Sequence, residues 1–146
     1  SWSSCGRRRP NRNGVPRMRA VTHRLGPLEQ AVLEMLLVGE HPTLRILRRQ
    51  LECVRLVNRE QTGAGFFCIL EVPIDMASAP TNENFRIGDV VADIEGLAYG
   101  AGFVLFVTNG RIDTLEGYSF EEPWPEKISK FKLRYENEPR NLALPV

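Results

Sequence analysis

The chain has 146 residues, 42% of them hydrophobic and 25% charged, with a net charge of +1. That is the size and composition of one globular domain, and no apolar run approaches the ~20 residues of a membrane span. The net charge hides a division: residues 1–26 hold seven arginines and no acid, whereas residues 27–146 hold twelve basic and eighteen acidic residues, a net of −6. An acidic body argues against a nucleic-acid surface on the domain itself, because phosphates demand net positive charge, and leaves that role to the arm alone.

Residues 1–25 are predicted to be a disordered basic arm. They are rich in Ser, Arg, Asn, Gly and Pro and lack apolar periodicity, so they bury too little surface to offset the entropy of ordering. They also lack the 7–15 apolar residues of a secretory signal. Met18 lies within the arm, and the expectation is that the natural start is Met18 or that the arm is non-native or upstream sequence.

A single α+β domain is expected over residues 26–137, with 138–146 a flexible tail. Pro27 suits a first helical position and Glu29 the first turn, where the helix dipole favours an anion. Leu28, Val32, Met35 and Leu36 follow at helical spacing, and Gly39 is a stop signal. A second helix begins at His41-Pro42, with Leu44, Leu47 and Leu51 as its apolar stripe and Arg45, Arg48 and Arg49 as its wet face. The period then changes to two. A strand from Val54 to Arg59 and one from Phe66 to Val72, joined by the turn Thr62-Gly63-Ala64-Gly65, should pair as a hairpin. Residues 73–87 read as a long loop.

A third strand is expected over about Asp89–Ile94. A fourth, Phe103–Val107, is apolar on both faces and therefore central. Asn109-Gly110 is the dipeptide of a type I′ hairpin turn, and Arg111–Phe120 should run back beside the fourth strand. A last strand is expected over Phe131–Tyr135. The fold class is thus two N-terminal helices followed by an antiparallel β-sheet meander of five or six strands.

Little in this sequence points to chemistry. The histidines are His23, in the arm, and His41, placed to cap the second helix, so a His-activated nucleophile has no base in the sheet region. Cys5, Cys53 and Cys68 are odd in number and fit no zinc or redox spacing. Cys53 and Cys68 read as small buried hydrophobes, and their spacing leaves open whether they pair; a reducing, cytoplasmic compartment is expected. Strand acids Glu71, Asp93, Glu95, Asp113 and Glu116 would suit a hard cation only if they converged. The motif GAGF occurs at 63–66 and 101–104, but each copy leads into a strand, whereas a phosphate loop leads into a helix. The helix pair lacks a polar recognition helix for DNA. No catalytic, cofactor-binding or metal-ligating residues are assigned, and no cofactor is expected.

The most distinctive segment is Leu115–Pro125, LEGYSFEEPWP. Tyr and Trp beside acids, stiffened by two prolines, suit an interaction surface, and Glu116, Tyr118, Glu121, Glu122 and Trp124 are its candidate residues. Together with TGAGFF (62–67) and IEGLAYGAGFVLFV (94–107), after a two-helix start, this segment resembles a group of short, uncharacterised bacterial proteins sharing TGxGFF and LEGxxxxEPWP-like motifs. The likeness covers roughly residues 25–135. It implies a bacterial origin and a compact domain, and it carries no activity. The functional expectation is a small non-enzymatic partner-binding protein, of the immunity type or a similar bacterial module, acting on a protein partner and not on a membrane. The alternative is a small-ligand binder or enzyme built on the sheet carboxylates.

Overall fold

The computed structural model describes residues 24–145. The arm expected over 1–25 lies, up to residue 23, outside the described residues. Two helices, α1 (Pro27–Leu36) and α2 (Pro42–Leu51), precede six strands: β1 (Arg55–Gln61), β2 (Gly65–Glu71), β3 (Phe85–Ile94), β4 (Ala101–Thr108), β5 (Arg111–Ser119) and β6 (Phe131–Tyr135). All neighbouring strands are antiparallel, in the order β1-β2-β5-β4-β3-β6. The meander is β3-β4-β5. The β1–β2 hairpin joins its β5 side, and β6 closes its β3 side.

Local chemistry sets the helix ends. Gly26 donates its N–H to the Glu29 carboxylate at 2.7 Å, the reciprocal contact of a capping box. His41 caps α2, its Nδ1 accepting from the Thr43 N–H at 3.1 Å, the role its place before Pro42 predicts. Arg48, expected on the wet face, instead donates to the carbonyls of Leu37 and Gly39 just past α1. There it satisfies orphan acceptors where the helix dipole favours a cation.

Both helices lie on one face of the sheet, α1 over β3 and β4 and α2 over β5. Leu28, Val32, Leu33, Leu36, Leu44 and Leu47 meet Phe66, Leu70, Val90, Phe103, Leu105 and Leu115 in one buried core. The β4–β5 turn has Asn109 and Gly110 at φ 53° and 72°, as a type I′ turn requires. A side chain at Gly110 would strike the Ala79 backbone, so the turn needs glycine for space as well as for φ.

Strand β3 starts at Phe85, inside what reads as loop in the sequence, because Phe85, Arg86 and Ile87 become strand by pairing with Val107, Phe106 and Leu105 of β4, a contact distant in sequence. Its register shifts between Ile87 and Val90, and this bulge brings Asp89 to the end of α1. There Arg140 clasps Asp89 through two nitrogens at 2.6 and 2.7 Å. Arg140 also donates to the Leu36 and Val38 carbonyls and lies 4.4 Å over the Tyr135 ring. Leu142 and Leu144 pack against the core. The segment after 137, expected as a loose tail, is thus held at Arg140, Leu142 and Leu144, where Arg140 supplies the cation for Asp89 and joins Arg48 at the carbonyls that end α1.

Among the described residues, no helix is long and apolar enough to cross a membrane.

Candidate functional site

The Leu115–Pro125 segment does not form one surface. Along β5, Leu115, Gly117 and Ser119 are buried in the core face, while Glu116 and Tyr118 alternate to the uncovered face. Tyr118 packs edge-on against Phe120 at 5.5 Å and lies over Gly102, where any side chain would collide with its ring. The chain then wraps around the end of the sheet. Glu121 adopts φ 60° and is exposed. The Glu122 carboxylate accepts from the Ala98 and Tyr99 N–H groups at 3.0 and 2.8 Å, tying down the β3–β4 loop. Trp124 ends on the opposite side of the sheet, its ring edge-on to Phe66 at 5.3 Å and its backbone N–H donating to the Gly63 carbonyl. Of the five candidate residues, Glu116 and Tyr118 stay together, Glu121 and Glu122 form the bend, and Trp124 belongs to another site.

That other site is a groove of about 1000 Å³ on the helix side, walled by Phe66, Trp124, Ile128 and Phe131 and by the start of α1. Glu29 and Arg59 line its polar side. Arg59 grips Glu29 through two nitrogens at 2.8 and 2.6 Å. Burial alone would raise the Glu29 carboxyl, but the Arg59 hydrogen bonds, the Gly26 N–H and the Arg59 charge together outweigh it and hold its pKa below the ordinary value. Behind this pair sits Cys68, a free and buried thiol that is not paired with Cys53. Burial pushes it up to about 12, with the Glu29 charge adding to the rise. Such a thiol stays protonated at neutral pH and makes a poor nucleophile.

The uncovered face is the second site, and most of its residues were missed in the sequence. Phe67 and Ile69 on β2 alternate with buried Phe66, Cys68 and Leu70. Val104 and Phe106 on β4 alternate with buried Phe103, Leu105 and Val107. Register aligns them across β5: Phe67, Glu116 and Val104 form one row, and Ile69, Thr114 and Phe106 the next. All are half-buried. The signal was present, because a strand apolar on both faces implies cover on both sides as much as a central position.

The strand acids do not converge. Glu71 is bound by Arg55 at 2.7 Å, Asp93 lies 4.0 Å from Arg134, Glu95 accepts from the Ser129 hydroxyl, and Asp113 accepts from Thr108. Among the described residues, no group of three His, Cys, Asp or Glu side chains is placed to hold a metal. No family model matches the chain, and no curated protein or solved structure matches it either.

Proposed function

We propose that this protein is a partner-binding module that acts through the uncovered face of its sheet. The observation that carries the reading is the apolar centre of that face. An antiparallel sheet with helices on one side ordinarily turns a polar face to water, whereas here Phe67, Ile69, Val104 and Phe106 flank Glu116 and Thr114 of β5 on both sides in two adjoining rows, with Tyr118 beside them. Contiguous apolar surface rimmed by polar residues marks a protein interface. The net charge of −6 over residues 27–146 fits the immunity-type role, in which an acidic protein neutralises a partner. A bacterial origin and a cytoplasmic location belong to the same proposal.

Affinity capture from extracts of the native host tests it, with wild type compared against Phe106→Lys. We expect at least one protein to be held at low salt by the wild type and lost with the variant, whose melting temperature should stay near that of the wild type. Identical sets captured by both proteins would overturn the reading. The small-ligand alternative has a volume in the helix-side groove, but that groove is lined by Glu29 and Glu126 and not by the sheet carboxylates from which the alternative was drawn.

A further inference from the structure

At the middle of the uncovered face stands a carboxylate that no cation among the described residues neutralises. Glu116 lies on β5, directly beside Phe67 on β2 and Val104 on β4. It is half-buried, and among the described residues no cation stands within ion-pair distance. Glu60 on β1 lies beside Phe67 in the same row, also without a cation among the described residues. Strands are spaced about 4.8 Å apart, so the two acids lie about 10 Å apart with the Phe67 ring between them.

The contrast with the rest of the molecule is direct. Glu29 and Asp89, the other acids set against apolar surroundings, are each gripped by an arginine through two hydrogen bonds. A carboxylate between a phenylalanine and a valine loses hydration, and Glu116 gains no ion-pair partner among the described residues. The pKa of Tyr118, two residues on, is raised by burial and then by the charges of Glu136 and Glu116, so the negative charge of Glu116 is felt along the face, while Arg134 stands at the β6 end of the Tyr118 row with β4 and β3 between them.

Resting on the partner-binding reading above, we infer that the face takes a protein segment that presents lysine or arginine flanked by apolar side chains. One cation meets Glu116 in the row between Phe67 and Val104, and a second, about 10 Å away, meets Glu60. The apolar side chains between the cations cover Phe67. The flanking aromatics Phe67, Phe106 and Tyr118 favour an arginine plane stacked on a ring. Complementary charge inside an apolar surround gives both steering and register.

The test uses synthetic probes, an amphipathic Leu–Lys peptide and its Leu–Glu counterpart, with binding followed by fluorescence anisotropy. Wild type is expected to bind the Leu–Lys peptide and to ignore the Leu–Glu one. Glu116→Gln should weaken binding about tenfold, the size of one charge-assisted hydrogen bond. Glu52→Gln removes the same charge at the exposed end of α2 and should change nothing. Glu116→Lys should reverse the preference to the Leu–Glu peptide. Equal losses with Glu116→Gln and Glu52→Gln would overturn the inference, reducing it to attraction by net charge. If Phe67→Ser weakens peptide binding and Glu116→Gln does not, the face remains a binding surface and the cation pairing falls. If neither matters, both readings fall. Sedimentation that shows self-association broken by Glu116→Lys, with no peptide bound, would make a second copy the occupant and would also overturn the inference.

Discussion

The two faces of the sheet treat their polar groups in opposite ways. On the covered face every buried polar group is used by the chain itself. The Gln50 amide, fully enclosed, donates to the Ala77 and Gly110 carbonyls and accepts from the Ile112 N–H. Arg140 holds Asp89, and Arg59 holds Glu29. No buried side-chain nitrogen or oxygen among the described residues lacks a partner. On the uncovered face, apolar rings lie half-exposed and the central acid has no cation among the described residues. A protein that satisfies its interior so completely has no structural reason to leave Glu116 and its apolar neighbours as they are, and the mismatch marks the face that meets something else.

The sharpest way to break this comparison is a matched pair of truncations on one strand. Phe103→Ala, on the covered side of β4, should cost about 3–5 kcal/mol through lost burial and an unfilled cavity. Phe106→Ala, three residues along on the other side, should cost no more than about 1 kcal/mol while impairing partner capture. Urea unfolding of both variants decides it, and similar losses would mean that the two faces are not distinct.

A smaller effect is expected at the clasp. Arg140→Ala leaves Asp89 buried and uncompensated and frees two carbonyls at the end of α1. A loss of about 3 kcal/mol should appear as a lower unfolding midpoint with no effect on the open face. An unchanged midpoint would show that the segment after 137 contributes nothing to the domain.

The smallest concerns Glu29, whose folded-state pKa lies below its ordinary value. The ion pair therefore adds stability above that value and loses it as pH falls through the depressed one. Wild type should exceed Glu29→Gln by about 1–2 kcal/mol at neutral pH. The gap should begin to close below the ordinary value of 4.5 and vanish in stronger acid. A gap independent of pH would assign the difference to packing.

Much of the fold was legible because it is written in local signals. Period changes placed both helices and the strands, Asn109-Gly110 placed the central hairpin, and His41 before Pro42 announced its cap. Contacts distant in sequence were not legible. Nothing near Asp89 or Arg140 says that they meet, since each is an ordinary charged residue until a bulge and a turn of chain bring them together. The candidate site was half readable for the same reason. The aromatic-acidic string 115–125 stood out, but a strand sends alternate residues to opposite faces. Only register could show that Glu116 shares a row with Phe67 and Val104 while Trp124 turns away to Phe66.

One buried amide imposes an order on the life of the chain. Gln50 lies on the second helix, yet its acceptors and donor lie 27, 60 and 62 residues further on. As the polypeptide leaves the ribosome, both helices are complete long before Ile112 exists, and during that interval the Gln50 amide can be satisfied only by water. The second helix is thus synthesised early and seated late, once the Asn109-Gly110 turn has brought Gly110 and Ile112 to its Gln50.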